Sequence, residues 1–84
     1  MSNGSVGSMK ELVETLARAL VDDPNAVEVT EIDGDHNLVL ELRVAKDDVG
    51  KVIGREGRTA QSMRALLTAA AQKVGRRSHL DIVD

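Results

Sequence analysis

Val49-Gly50-Lys51-Val52-Ile53-Gly54-Arg55-Glu56-Gly57-Arg58-Thr59 is the stretch on which the reading of the chain turns. Val49, Val52 and Ile53 recur at i, i+3 and i+4, the spacing of one apolar helix face, so a short helix leads in. Gly54 and Gly57, three apart, then allow a tight turn and leave no Cβ between backbone and ligand. A second helical pattern starts directly after Gly57. Its first free N–H groups and its dipole would sit at the mouth of the turn, where they favour an anion. Lys51, Arg55 and Arg58 flank the same point. A bare turn, a helix N-terminus and three cations suit a phosphodiester backbone.

Working outward, Asp47 is expected to cap the short helix. The helix after Gly57 is expected to run to about Val74 and to bury Met63, Leu66, Leu67, Ala70 and Val74. Ala65, Ala69 and Ala71 leave its remaining surface smooth. Either a second helix packs closely there, or alanine is present only as the best helix former. Gly75 is a natural C-cap, and Arg76-Arg77 follow in a loop. Residues 79–83 alternate as a last strand. Upstream, residues 38–44 give a clean strand, with Leu38, Leu40, Leu42 and Val44 on one face. A hairpin turn at Asp33-Gly34-Asp35-His36 joins it to a strand at 26–32, in which Ile32 falls out of phase. Met9, Leu12, Val13, Leu16, Ala17 and Leu20 form the stripe of a first helix over 9–21. Ser8 and Glu11 stand at capping-box spacing, and the segment before Pro24 ends the helix. Residues 1–8 read as a flexible leader or an expression scar. The domain proper is 9–84, in the order α-β-β-α-α-β: an α+β fold with a mixed three-stranded sheet and three helices on one face.

The net charge of −3 conceals an asymmetry. Residues 1–44 hold three bases against nine acids, a balance of −6, and residues 45–84 hold eight against five, a balance of +3. Within 51–77, seven bases face only Glu56. Such segregation fits one face made for a polyanion; the plainer reading is that charge solvates helix surfaces.

Val52-Ile53-Gly54-Arg55-Glu56-Gly57 resembles the V-I-G-x-x-G core of the KH domain, a single-stranded nucleic-acid-binding module whose GxxG loop clamps about four nucleotides by their backbone. Two glycines at that spacing are common in loops. The acidic lead-in Asp47-Asp48 and the basic exit Gly57-Arg58-Thr59 make the longer string far more specific. Small size and element order are similar to the bacterial single-KH proteins of the KhpA type, over about residues 9–84, with the type II arrangement. The resemblance implies single-stranded RNA binding. Gly54, Arg55, Glu56 and Gly57 would hold the sugar-phosphate backbone. Val49, Val52 and Ile53 would floor the groove, Lys51 and Arg58 would add charge, and Arg76 and Arg77 would close the far side or remain a solvated loop. It further implies a homodimer, a larger Jag-type (KhpB-like) RNA-binding partner, and a cytoplasmic post-transcriptional regulator or RNA chaperone linked to cell elongation and division. Glu56 departs from the pattern, because a carboxylate beside a phosphate weakens binding.

Other classes find little support. The chain has no Cys, so no thiolate metal site or disulfide is available, and no run long enough to span a membrane. Asp33, Asp35 and Asn37 imitate a calcium loop, but Leu38 and Val44 stand where its Gly and Glu are required. His36 and His79 have no ligand-spaced neighbours. The phosphate-binding G-x-x-x-x-G-K-[ST] string is absent, as is any nucleophile–base constellation, so neither an enzyme nor a cofactor is expected. No aromatic residue is present, which argues against the stacking platforms of RRM and most OB-fold modules. The alternative to RNA binding is a KH scaffold used for protein interaction and dimerisation.

Overall fold

The computed structural model describes residues 6–83, with side chains for 9–83. Six principal elements follow in order: α1 (Val6–Leu20), β1 (Glu28–Asp33), β2 (Asn37–Arg43), α2 (Val49–Ile53), α3 (Arg58–Lys73) and β3 (Arg77–Val83). Single 3₁₀ turns at Pro24–Ala26, Lys46–Asp48 and Arg55–Gly57 link them. This is the expected α-β-β-α-α-β order and the type II KH arrangement.

The sheet is ordered β1-β2-β3. β1 pairs antiparallel with β2, placing Val29 opposite Leu42, and β2 pairs parallel with β3, placing Leu40 beside Leu80. Alternation along β2 buries Leu38, Leu40 and Leu42 completely, and Val44 beyond its end is 4% exposed. Each such leucine contributes about 1.5–3 kcal/mol of hydrophobic stabilisation. The helices cover this one face. Met9, Val13 and Ala17 of α1, Val52 of α2 and Met63, Leu67 and Ala71 of α3 join the strand residues in one core. Ile32 falls on the other face and is exposed, as its phase predicts.

Several boundaries and faces differ from the sequence reading. α1 begins at Val6, so Ser8 lies inside the helix rather than at its N-cap. Extending a formed helix backwards adds one hydrogen bond per residue fixed, which needs no cap at that point. Of the expected leader, residues 1–5 lie outside the described residues. Leu20 sits at the exposed edge of the α1 stripe, at 39%.

On α3 the buried line is Ala60, Met63, Leu67 and Ala71, spaced three, four and four. Leu66 is 51% exposed and Val74 38% exposed, against expectation. Alanines occupy both sides of α3, so periodicity alone did not fix which side faces the sheet.

Asp47 does not cap α2. Asp48 occupies the N-cap position, also without a side-chain capping bond. Its carboxylate is instead the one buried charged group among the described residues, at 2% exposure. It accepts a hydrogen bond from the Asp23 backbone N–H at 3.1 Å, tying the segment after α1 to the entry of α2. Burial raises its pKa, but the Asp23 and Asp22 backbone donors and Lys51 outweigh that and leave it below the usual carboxylate range.

Candidate nucleic-acid interface

The turn between α2 and α3 takes a conformation that its glycines require. Gly54 has φ 80° and ψ 172°, a region open essentially to glycine alone. A Cβ there would lie 2.2 Å from Thr59 Oγ1, 2.6 Å from Thr59 Cβ and 2.8 Å from the Thr59 backbone nitrogen. The first turn of α3 is thus packed directly against the Gly54 backbone. Gly57 is left-handed (φ 75°, ψ 11°) and serves as the N-cap of α3 without a side-chain capping bond. Nothing stands within 4 Å of where its Cβ would be. Glu56 is also left-handed, at φ 57°, the one non-glycine residue with positive φ among those described. Two hydrogen bonds fix the turn: Gly54 N–H to the Gly50 carbonyl at 2.9 Å and Gly57 N–H to the Gly54 carbonyl at 3.1 Å. The result is a rigid backbone hook, open on the Gly57 side, from which the uncapped start of a 16-residue helix emerges.

The cations around the hook play different parts. Arg55 is exposed and has no side-chain partner among the described residues. Arg58 Nη2 lies 3.2 Å from Glu56 Oε1, and both side chains are exposed, so Glu56 offsets one of the two arginines at the turn. Lys51 is committed elsewhere: its Nζ lies 3.3 Å from Asp22 Oδ2 and 3.5 Å from Asp48 Oδ1. The Asp22 carboxylate, then Asp48, holds its pKa above the usual lysine value despite partial burial. Lys51 locks the end of α1 onto α2. Of the apolar trio, Val52 has no accessible surface and is a core residue, Val49 is half-buried against the core, and Ile53 is 38% exposed. Ile53 and part of Val49 are therefore the apolar surface that α2 offers.

α3 and the free edge of β3 enclose a cleft of about 130 Å³ lined by Arg64, Leu67, Thr68, Ser78, His79 and Leu80. Arg64 Nε and Nη2 each donate to the Leu80 carbonyl at 3.3 Å, across the cleft from α3 to the strand edge. The sequence reading missed Arg64. The available signal was its place between Met63 and Leu67, beside the buried line, as the lone base in residues 59–72.

Arg76 and Arg77, alike in sequence, part company. The Arg76 side chain is 18% exposed, and its Nη2 bonds to Asp33 Oδ1, to the Gly34 carbonyl at 2.6 Å and to the Asn37 carbonyl at 3.3 Å. It staples the α3–β3 loop to the β1–β2 turn and is no free groove cation. The arginine hydrogen bond holds the Asp33 carboxyl below its usual range, and Asp33 raises the arginine further. Arg77 is exposed and lines a separate cleft with His36, Asn37 and Gly75. Among the described residues, no group of three or more His, Cys, Asp or Glu is placed to hold a metal, and no helix is long and apolar enough to cross a membrane.

Residues 10–82 match the family described as KhpA/KhpB, KH domain. The chain is 53% identical over 75 residues to the RNA-binding protein KhpA of Caldanaerobacter subterraneus subsp. tengcongensis, spanning 89% of this chain and 100% of that protein. It is 55% identical over 76 residues to the RNA-binding protein KhpA of Halalkalibacterium halodurans, spanning 90% and 100%. With the protein of the same name from Aquifex aeolicus it shares 44% identity over 79 residues, spanning 94% and 100%. No solved structure matches the chain.

Proposed function

Because the chain belongs to the KhpA/KhpB KH-domain family, a family of binding modules and not of enzymes, we propose that it binds single-stranded RNA along the hook and the α3–β3 cleft. The observation that carries this reading is the Gly54–Gly57 turn itself. Its backbone has no side chain on the Gly57 side, it opens onto an uncapped helix start, and Arg55 projects from it unpaired. Backbone N–H groups, Arg55 and Arg58 hold phosphates; Ile53 and the exposed part of Val49 meet the bases. Arg64 stands where a base enters the cleft, with donors to spare beyond the two that it gives to Leu80. Binding rests on a few phosphate contacts and no aromatic stacking, which corresponds to roughly micromolar, salt-sensitive affinity.

At the level of the cell we propose a cytoplasmic post-transcriptional regulator or RNA chaperone linked to cell elongation and division. It acts as a homodimer and with a larger Jag-type partner, as the family resemblance implies. Two grooves in one assembly compensate for weak single sites through effective concentration. Leu66, 51% exposed on the alanine-rich outer side of α3, supports a protein contact there. It also favours the second reading, a scaffold whose main task is to dimerise.

The two readings separate in one titration of a fluorescent single-stranded RNA of mixed sequence at low and high salt. Wild type is compared with the double variant Arg55→Asp, Glu56→Asp. Salt-sensitive binding by wild type that the double variant lacks, with fold and oligomeric state retained, supports RNA binding by the hook. Equal binding by both removes the hook as the clamp. No binding by either folded protein leaves the scaffold reading.

A further inference from the structure

The sheet has two free edges, and the β1 edge lies on the opposite side from the β3 edge that faces Arg64. In the hairpin, Gly34 N–H donates to the Asn37 carbonyl at 2.8 Å. Hydrogen-bonded pairs alternate with open ones along an antiparallel register. Ile32, Thr30 and Glu28 therefore bond to β2, while Val29, Glu31 and Asp33 turn their N–H and C=O groups outward. No backbone hydrogen bond from the loops or caps reaches these outward groups among the described residues. The register runs through six consecutive pairs without a bulge, and β1 contains no Pro, Gly or Lys, so the edge is an open template for a further strand. Ile32 stands exposed beside it on the uncovered face of the sheet.

The edge is also acidic. Between Arg18 and Arg43 the chain holds seven acids and no Lys or Arg. Lys51 reaches Asp22, Arg76 reaches Asp33, and Arg43 stands opposite Glu28 in the register. Glu31 has no ion pair among the described residues. It shares the helix-covered face with its register partner Leu40, and its Oε2 is buried without a hydrogen-bond partner. Arg76 is close enough to feel the Glu31 charge, but its Nη2 is committed to Asp33, Gly34 and Asn37, and its Nε is itself buried and unpartnered. A buried carboxylate oxygen without a donor is unfavourable, and a cation brought alongside relieves it. These charges select what can add to the edge. A second copy pairing β1 against β1 sets three carboxylates against three, and a nucleic acid is repelled. A basic strand meets neither obstacle. Successive residues of an added strand face opposite sides of the sheet, as Glu31 and Ile32 do, so the fitting segment alternates basic and apolar side chains. We infer that the free edge of β1 takes up an extended basic segment of a partner protein as a fourth strand, with a Lys or Arg beside Glu31 and an apolar side chain beside Ile32. The inference stands apart from the RNA-binding reading, because the hook and the α3–β3 cleft lie away from this edge.

The test titrates the full ¹⁵N-labelled chain with a capped hexapeptide of alternating lysine and valine, and reads peptide affinity and amide hydrogen exchange. Strand addition should slow exchange at the amides of Val29, Glu31 and Asp33 and leave those of Gly54 to Arg58 unchanged. Glu31→Gln keeps the shape of the side chain and removes its charge; it should weaken binding about tenfold by loss of one charge-assisted contact. Asp47→Asn, which removes an exposed acid outside the edge, should keep wild-type affinity. Equal losses in the two variants, or equal binding of a hexapeptide of alternating glutamate and valine, would overturn the proposal. Slowed exchange at the same amides on concentrating the chain alone would assign the edge to a second copy and overturn it as well. So would the absence of binding by the folded chain, an outcome that leaves the RNA titration unaffected.

Discussion

Replacing Gly54 by alanine should damage this domain far more than the same change at Gly57. The two glycines look equivalent in the sequence, and both have positive φ, 80° and 75°. Their surroundings differ. At Gly54 the added methyl would lie 2.2 Å from Thr59 Oγ1, which can rotate away. It would also lie 2.6 Å from Thr59 Cβ and 2.8 Å from the Thr59 nitrogen, which cannot move without shifting the first turn of α3. The φ and ψ of Gly54 fall where L-residues cost about 1–3 kcal/mol. Overpacking against fixed atoms adds about 1–3 kcal/mol. The total, about 2–6 kcal/mol, compares with a whole-domain stability of about 5–15 kcal/mol. The midpoint of thermal unfolding should fall by roughly 10–40 °C, or the variant should fail to fold. At Gly57 only the left-handed backbone is charged for, about 1–2 kcal/mol. Thermal and urea denaturation followed by circular dichroism gives both values. Adding Thr59→Ala to Gly54→Ala removes the hydroxyl conflict alone, so recovery should be partial. A Gly54→Ala variant within about 0.5 kcal/mol of wild type, below the overpacking range, would refute the close-approach argument. So would a Gly57→Ala variant of equal severity.

Glu56→Gln should raise RNA affinity several-fold, because it frees Arg58 from its 3.2 Å partner and removes a carboxylate beside the phosphates; an unchanged affinity in the same titration would show that the pair is irrelevant to binding. The depressed pKa values of Asp48 and Asp33 mean that their stabilisation is complete above the ordinary value of about 3.9 and is lost as pH falls through the folded-state values. Asp48→Asn should therefore lower stability at neutral pH and flatten the acid limb of a stability–pH profile. The raised Lys51 adds stability that is present below about pH 10.4 and disappears as pH climbs through its folded value, so an alkaline limb is expected that Lys51→Met removes. On α3, Leu67→Ala should cost about 2–5 kcal/mol, while Leu66→Lys, at a half-exposed position, should leave monomer stability within about 0.5 kcal/mol; reversed values would show that the buried side of the helix has been misassigned.

Particular residues show what was legible in the sequence. β2 could be read almost residue by residue, because alternation at Leu38, Leu40 and Leu42 has one meaning in a sheet with one covered face. The turn was legible because glycine spacing reports backbone conformation directly, and Gly54 and Gly57 take the positive φ that it implied. α3 was legible as a helix but not as a face. Its alanines surround it, and the choice between Leu66 and Leu67 is made by what it packs against.

The roles of the charged residues were least legible, since they depend on partners far along the chain. Lys51 owes its engagement to Asp22, and Asp48 accepts from a backbone group 25 residues away. Arg76 and Arg77 are identical neighbours in sequence. Only the fold, by bringing Asp33 and Gly34 to one of them, makes one a staple and leaves the other free. Arg64 escaped notice for the same reason, because its acceptor is a carbonyl on a strand 16 residues on.

The most direct test of the account is a titration of the ¹⁵N-labelled protein with a short single-stranded RNA, followed by the shifts of its backbone amides. The largest changes should fall on the amides of Gly54 to Ala60 and along Ser78 to Leu80, with the Arg64 side-chain resonance moving with them. Changes confined to the outer side of α3 around Leu66 and Ala69, or none at saturating RNA, would contradict it.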